Sequence, residues 1–216
     1  MIYLDSAILS EAEAAVKLGW VKGITTNPTL LKKSLLSPEE TLSKLAEISP
    51  GELYYQLCSN DFDSMIAEAK QAQNIVGDKL VLKIPATELG FQVTAALSSQ
   101  IACSVTAIYS PAQAVVAREA GAKYAIAYVN RATRLLGDGL ALVRAMANIL
   151  QGSNTEILAA SIKSSQEAAD TLQAGAHHLT VPMAILQQMA SHELSTQTVA
   201  EFNAKGTGIS FWQCVI

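Results

Sequence analysis

Short apolar runs alternate with longer amphipathic segments along the whole chain, at intervals of roughly twenty to thirty residues. The apolar runs are bounded by turn residues and have the length of buried strands. We predict eight strands, at residues 2–5, 23–27, 52–58, 80–84, 101–106, 124–130, 156–161 and 178–181. The amphipathic segments predict helices at residues 10–19, from 38 onwards, and at 61–76, 88–99, 111–121, 139–150, 165–174 and up to 189.

Capping signals mark the starts of several predicted helices. Ser37 followed by Pro38 predicts a serine cap with proline in the first helical position. Ser10 with Glu13 three residues later has the pattern of a capping box, and Gly19 is placed to end the same helix. The local signals therefore agree with the apolar pattern.

Eight strand–helix units in a single chain predict a single-domain (β/α)₈ TIM barrel over residues 1–216. An open doubly wound sheet has the same alternation, but the glycine-rich dinucleotide fingerprint that favours it is missing. A further amphipathic segment predicts a helix at residues 195–204, so residues 195–216 form a C-terminal helix and tail. The apolar tail residues fit docking on the same barrel or on a neighbouring subunit; they are Phe211, Trp212, Val215 and Ile216.

Composition narrows the functional class. Half of the 216 residues are hydrophobic and 16% are charged, which allows a large core. The net charge of −4 and the scattered lysines and arginines argue against nucleic acid as a partner. No apolar run approaches the length of a membrane span and the start of the chain lacks the pattern of a signal peptide, so we expect a cytoplasmic protein without a membrane partner.

Histidine and cysteine positions argue against a metal centre. His177 and His178 stand at the start of the eighth predicted strand, and His192 follows the last barrel helix, so no three-histidine site can be drawn. No metal or other cofactor is expected. The cysteines are odd in number and far apart, which predicts reduced core thiols; they are Cys58, Cys103 and Cys214.

Lys83 lies near the carboxyl end of the apolar run at residues 80–84. Alternation along a strand puts Lys83 on the same face as Val81, opposite the residues that would pack against helices, Leu82 and Ile84. Burial disfavours an ammonium ion, and a free amine is a nucleophile towards a carbonyl carbon, which is the chemistry of a Schiff base. The simpler alternative is a lysine that reaches solvent or pairs with a carboxylate.

Other polar residues follow the predicted strands at the end of the barrel where (β/α)₈ enzymes build their active sites. They are Asp5, Thr25, Thr26, Asn27, Gln56, Thr106, Tyr128, Arg131, Ser161 and Lys163. Each alone fits a turn or a cap, but their convergence on one face predicts a polar site around Lys83. Arg131, Ser161 and Lys163 predict an anion clamp, which implies a phosphorylated small molecule as substrate.

Five motifs resemble the transaldolase family, particularly its short branch of fructose-6-phosphate aldolases and transaldolase-like proteins. They are Tyr-Leu-Asp at residues 3–5, Gly-Ile-Thr-Thr-Asn-Pro-Thr at 23–29, Val-Leu-Lys-Ile-Pro at 81–85, Ala-Tyr-Val-Asn-Arg at 127–131 and Ala-Ala-Ser-Ile-Lys at 159–163. The resemblance implies a (β/α)₈ barrel, a class I mechanism without metal, a sugar phosphate substrate, and a homo-oligomer, either a pentamer or a decamer of two pentamers.

The same resemblance implies roles for the residues around the lysine. Lys83 corresponds to the Schiff-base lysine and Asp5 to the aspartate that handles substrate hydroxyls and proton transfer. Asn27 corresponds to an asparagine that hydrogen-bonds the carbon skeleton, and Thr26 beside it is expected to bind substrate as well. Thr106 resembles the hydroxyl that helps to hold the catalytic water.

The remaining matches concern the phosphate and the choice between branches. Arg131 and Ser161 correspond to phosphate ligands, and Lys163 stands where transaldolases tend to carry a second basic residue. Transaldolases usually have a glutamate and a phenylalanine where this chain has Gln56 and Tyr128, which is the aldolase pattern. A phenol can direct a water molecule and share in proton transfer, whereas a neutral amide cannot take the proton.

The sequence therefore predicts a class I aldolase that cleaves fructose 6-phosphate to dihydroxyacetone and glyceraldehyde 3-phosphate, or runs the reverse reaction. One alternative is a transaldolase that moves a dihydroxyacetone unit from sedoheptulose 7-phosphate to an aldehyde phosphate. Another is a barrel without catalysis that binds a sugar phosphate. The run at residues 58–60 and Arg134 depart from the family pattern, which leaves the donor and acceptor specificity open.

Overall fold

The computed structural model describes residues 1–209, in which eight parallel strands close into a barrel in chain order. The strands are β1 (Ile2–Asp5), β2 (Val21–Thr25), β3 (Leu53–Gln56), β4 (Leu80–Pro85), β5 (Ala102–Ile108), β6 (Tyr124–Tyr128), β7 (Glu156–Ala160) and β8 (His178–Val181). Strand β8 pairs with β1 and completes the closure. The predicted (β/α)₈ barrel is confirmed.

Eleven α-helices lie within the described residues. They are α1 (Leu9–Lys17), α2 (Pro28–Leu31), α3 (Pro38–Ile48), α4 (Phe62–Val76), α5 (Glu88–Leu97), α6 (Pro111–Glu119), α7 (Val129–Leu136), α8 (Gly139–Leu150), α9 (Ser165–Gln173), α10 (Met183–Met189) and α11 (Glu193–Lys205). None of the helices in residues 1–209 is both long and apolar enough to cross a membrane.

The helix caps agree with the sequence in one case and differ in another. Ser37 caps α3 with a complete capping box to Glu40, as the Ser37-Pro38 pair predicted. The capping box predicted at Ser10 is wrong, because α1 begins at Leu9 after an Ile8 that provides no side-chain cap.

The carboxyl ends of β2 to β7 each differ from the prediction by one or two residues, and the changes at β2 and β6 affect the polar end of the barrel. Strand β2 ends at Thr25, and extended Asn27 instead caps the short helix α2, accepting a hydrogen bond from the Leu30 amide at 3.0 Å. Strand β6 ends at Tyr128 because the chain turns directly into α7, which carries Arg131. Neither short helix was predicted.

Alternation along the strands sorts the barrel interior into two layers. The amino-terminal layer is mainly aromatic, and contains Tyr3, Tyr54 and Tyr124. Gly23 makes room for this layer, since a Cβ atom there would lie 2.3 Å from the Glu52 carbonyl oxygen and 2.9 Å from the Tyr3 ring. Two residues further along β1, β3 and β4 the inner positions are polar, at Asp5, Gln56 and Lys83, whereas Ile126 of β6 keeps the inner face of that strand apolar.

The cysteine and tail predictions have mixed outcomes. Cys103 is buried as predicted, but Cys58 is exposed just after β3, so its assignment to the core is wrong. Cys214 and the apolar tail residues 211–216 lie outside the described residues. The predicted C-terminal helix is present as α11.

Candidate active site

A cavity of about 400 Å³ opens at the carboxyl ends of the strands. Its lining comprises Asp5, Asn27, Pro28, Thr29, Leu30, Gln56, Lys83, Tyr128, Arg131, Ala160, Ser161 and Lys163. Eight of the eleven polar residues predicted at this end of the barrel line the cavity, and Thr25, Thr26 and Thr106 do not. The residues that line this polar cavity therefore come from the carboxyl ends of six strands or from the segments that follow them.

Lys83 extends from the inner face of β4, as its alternation with Val81 predicted. In the barrel it lies next to Gln56 of β3 and Ser104 of β5. The residue is only 3% exposed, and among residues 1–209 its amine makes one hydrogen bond, to the Thr26 carbonyl oxygen at 3.3 Å. The amine therefore has free hydrogen-bonding capacity and faces the cavity.

Asp5 is the last residue of β1, and its carboxylate is hydrogen-bonded to the first of two linked, buried threonine hydroxyls. Its Oδ1 accepts a hydrogen bond from Thr25 Oγ1 at 2.9 Å, and the Thr25 hydroxyl is 2.6 Å from that of Thr180. Burial raises the pKa of Asp5, although the positive charge of Lys83 and the Thr25 hydrogen bond oppose this effect. Asp5 can therefore hold a proton more readily than an exposed aspartate.

Thr25, rather than Thr26, is the threonine whose side chain supports a residue of the cavity wall, through its hydrogen bond to Asp5. Thr26 is fully buried and its hydroxyl donates to the Tyr54 carbonyl oxygen at 2.7 Å, so only its backbone carbonyl reaches Lys83. The structure does not bring the Thr26 side chain to the cavity. Alternation along β2 puts the two threonines on opposite faces, and Thr25 shares the inner face with Gly23, which lies against the Tyr3 ring.

The Tyr128 ring lies beside both Lys83 and Arg131 in the cavity wall. Its hydroxyl accepts a hydrogen bond from Thr106 at 3.0 Å, so the buried Thr106 acts behind the phenol and does not line the cavity itself. The Lys83 amine lies 5.9 Å from the centre of the Tyr128 ring, and the Arg131 guanidinium carbon lies 5.1 Å from the same centre. Tyr109 contacts the ring edge-on, with centres 6.3 Å apart.

Arg131, Ser161 and Lys163 line the outer part of the cavity. Ser161 has φ of +62°, an unusual conformation for a residue with a side chain, and its carbonyl oxygen accepts the Asn130 amide at 3.2 Å. Two cations and a hydroxyl in this arrangement suit a phosphate group. Within residues 1–209 no cluster of three histidine, cysteine, aspartate or glutamate side chains is arranged to hold a metal ion.

Comparisons with known proteins identify the family of this chain. A family model described as transaldolase/fructose-6-phosphate aldolase matches residues 2–213. The chain belongs to this family. The transaldolase/fructose-6-phosphate aldolase assignment agrees with curated relatives named "Probable transaldolase". One, from Heliobacterium modesticaldum, is 35% identical over 93% of this chain and 94% of its own length. Another, from Nitrosopumilus maritimus, is 32% identical over 90% and 89%.

Solved structures agree with the fold of this family member. A crystal structure of mandelate oxidase has a TM-score of 0.63 and 18% identity, and the match covers 93% of this chain and 71% of that one. A second mandelate oxidase structure has a TM-score of 0.60 and 19% identity, and covers 81% and 59%. At these identities the likeness concerns the barrel alone.

Proposed function

We propose that this protein is a class I aldolase that cleaves or forms the C3–C4 bond of a ketose phosphate through a Schiff base on Lys83. The observation that carries the proposal is the position of the amine, which is buried in the barrel yet faces a polar cavity shared with Asp5 and Tyr128. Fructose 6-phosphate is the proposed substrate, with dihydroxyacetone and glyceraldehyde 3-phosphate as products.

In the cleavage direction the Lys83 amine adds to the C2 carbonyl carbon, and loss of water leaves an iminium. The iminium takes the electron pair of the breaking C3–C4 bond and becomes an enamine, while the C4 hydroxyl gives up its proton and the aldehyde leaves. Protonation of the enamine at C3 and hydrolysis then release dihydroxyacetone and restore the amine.

The proton transfers fall to the groups around the amine. A water molecule directed by Tyr128 and Gln56 takes the C4 hydroxyl proton, with Thr106 fixing the phenol through its hydrogen bond at 3.0 Å. Asp5, whose pKa is raised by burial, can hand a proton to the hydroxyl that leaves when the iminium forms. Asn27 orients the hydroxyls of the bound sugar.

The phosphate is held at the end of the cavity that Arg131, Ser161 and Lys163 line. Arg131 and Lys163 supply positive charge and Ser161 a hydroxyl, all on the cavity wall. Anchoring the unreactive end of the substrate aligns C2 with the amine and so lowers the entropic part of the barrier.

A transaldolase is the second candidate, favoured by the names of the curated relatives. The two reactions share every step up to the enamine and differ in whether C3 of the enamine takes a proton or attacks a second aldehyde. Gln56 and Tyr128 support the aldolase, because a phenol next to the enamine supplies the proton path that release of the free ketone requires.

Borohydride trapping tests the Schiff base directly. The protein is incubated with dihydroxyacetone, reduced with borohydride and mapped by peptide mass spectrometry. We expect a single reduced adduct on Lys83, and an adduct on a different lysine contradicts the assignment. Ligand-induced stabilisation without any adduct would instead indicate a barrel that only binds sugar phosphates.

Incubation with fructose 6-phosphate alone separates the two enzymes. Release of free dihydroxyacetone without an acceptor supports the aldolase. Turnover that requires an added aldehyde phosphate identifies the transaldolase.

We further propose that the enzyme works in the cytoplasm as a homo-oligomer, a pentamer or a decamer. Helix α11 supports this, because its apolar side chains Leu194, Val199 and Phe202 are each more than half exposed in the single chain. Light scattering coupled to size-exclusion chromatography measures the subunit number, and a monomer at all concentrations contradicts the proposal.

A further inference from the structure

The phosphate end of the cavity is assembled from two separate βα connections. Ser161 and Lys163 follow β7, whereas Arg131 lies in the first turns of α7 after β6. The spacing between Arg131 and the pair Ser161 and Lys163 therefore depends on the contacts that hold the segment after β6 against the segment after β7. One link is the hydrogen bond from the Asn130 backbone N–H to the Ser161 carbonyl oxygen, at 3.2 Å.

A second link runs through Glu167, in the first turn of α9. Its Oε2 accepts a hydrogen bond from the Lys163 backbone N–H at 2.6 Å, and its Oε1 accepts one from the Asn130 side-chain amide at 3.2 Å. A glutamate at this helical position usually accepts from the backbone of the cap residue, which here is Ser164. In this protein the carboxylate instead reaches the residue before the cap and a side chain of the neighbouring connection.

We propose that Glu167, acting with Asn130, is a positioning residue for the phosphate end of the substrate. Neither side chain lines the cavity, so neither touches the phosphate. Glu167 fixes the backbone of Lys163 and, through Asn130, the segment immediately before Arg131. The inference rests on the proposed function for the identity of the substrate, but its geometric part requires only that an anion binds at Arg131.

The charge of Glu167 gives this role a distinctive signature. A carboxylate near an anion site weakens anion binding by repulsion, so its benefit must come from the two hydrogen bonds. Glu167→Gln removes the charge and can keep both bonds, because the new amide oxygen accepts from Lys163 and its nitrogen donates to Asn130 once that amide is turned over. Glu167→Ala removes the charge and both bonds.

Titration of the full-length protein with inorganic phosphate, followed by calorimetry, is the test. We expect Glu167→Ala to raise the dissociation constant about tenfold, because small displacements of a binding group have large effects, and Glu167→Gln to leave it unchanged or lower it. Asn130→Ala should weaken binding similarly, and the double alanine variant should be no worse than either single variant. Asp170→Ala is the matched control, since Asp170 accepts a side-chain hydrogen bond from Gln166 on the same helix.

Kinetics distinguish positioning from a general loss of stability. Glu167→Ala should raise KM for fructose 6-phosphate while the rate of borohydride-trapped adduct formation with unphosphorylated dihydroxyacetone stays at the wild-type value. Unchanged phosphate affinity in Glu167→Ala, or an equal loss in Asp170→Ala or in Glu167→Gln, overturns the proposal. Weakened phosphate binding in a protein that forms no Lys83 adduct would refute the aldolase and leave the role of Glu167 intact.

Discussion

The two ends of the barrel interior each hold an ionisable side chain next to tyrosines, Glu52 at one end and Lys83 at the other, but their surroundings differ. At the amino-terminal end the Glu52 carboxylate accepts hydrogen bonds from the hydroxyls of Tyr3, Tyr54 and Tyr124 at 2.8 to 3.0 Å, and forms a 2.7 Å ion pair with Lys123. Burial raises the pKa of Glu52, but these hydrogen bonds outweigh it and the pKa is lowered overall. The charge is fully matched by its partners.

At the other end the Lys83 amine has a single protein hydrogen bond among the described residues and borders a cavity of about 400 Å³. A charge whose partners are all present in the fold serves stability, whereas a buried group with unused capacity beside open space is available to a ligand. The comparison therefore separates a structural cluster from a candidate catalytic one, although both lie inside the same barrel.

Replacing the lysine at each end of the barrel should give the largest difference in activity between the two ends. Lys83→Ala should lower the aldol cleavage rate by about 10⁴-fold or more while the protein stays folded, because the other described amine on the cavity wall, Lys163, belongs to the proposed phosphate clamp. Lys123→Ala should keep the activity and lower the free energy of unfolding by less than about 1 kcal/mol, since the Lys123 side chain is half exposed. Steady-state assays and urea unfolding measure both. Equal losses of activity would remove the distinction.

Replacing a tyrosine by phenylalanine at each end should have an intermediate effect. Tyr128→Phe removes the proposed proton path and should lower the cleavage rate by about 10² to 10³-fold with little change in substrate binding. Tyr124→Phe removes one of the hydrogen bonds to Glu52 and should cost about 1 to 2 kcal/mol of stability with normal activity per folded molecule. An unchanged cleavage rate in Tyr128→Phe would show that the phenol has no part in the reaction.

The sequence predicted most of the fold and much of the site, for identifiable reasons. Strand periodicity was sufficient to place Lys83 inside the barrel, because a strand allows only two faces. It put Thr25 and Thr26 on opposite faces of β2 but could not say which face points into the barrel, because that depends on how β2 pairs with its neighbours. Short helices such as α7 and α2, directly after strands, have too few residues to show a helical pattern.

Local sequence patterns could not predict contacts between distant parts of the chain. Glu52 had been no more than the first residue of a predicted strand, and its three tyrosine partners come from β1, β3 and β6. In the sequence, Glu167 is likewise an ordinary acidic residue in the first turn of a helix. Only its hydrogen bond to Asn130 shows that it links the segment after β7 to the segment after β6. Such roles depend on closure of the barrel, which sequence spacing does not encode.

Protonation of His178 should have the smallest effect, confined to the amino-terminal end. Its Nδ1 lies 2.7 Å from the Met1 amine and its Nε2 lies 2.8 Å from the Glu156 carboxylate. Burial lowers the pKa of His178 below its ordinary value of 6.5, and the Met1 amine and His177 lower it further, although Glu156 opposes them. Below pH 6.5 the unfolded chain therefore binds more protons at this position than the folded protein, and stability falls as pH falls.

Urea unfolding as a function of pH measures this dependence. From pH 6.5 down to about pH 5 we expect the wild-type protein to lose free energy of unfolding with a slope from His178 of at most about 1.4 kcal/mol per pH unit. His178→Gln should flatten that part of the profile, whereas His192→Gln, at an exposed histidine that caps α11, should leave it unchanged. Activity per folded molecule should stay the same in both variants, because His178 and its partners Met1 and Glu156 lie at the amino-terminal end of the strands, away from Lys83. A pH profile that is equally steep in His178→Gln would assign the acid sensitivity to other groups.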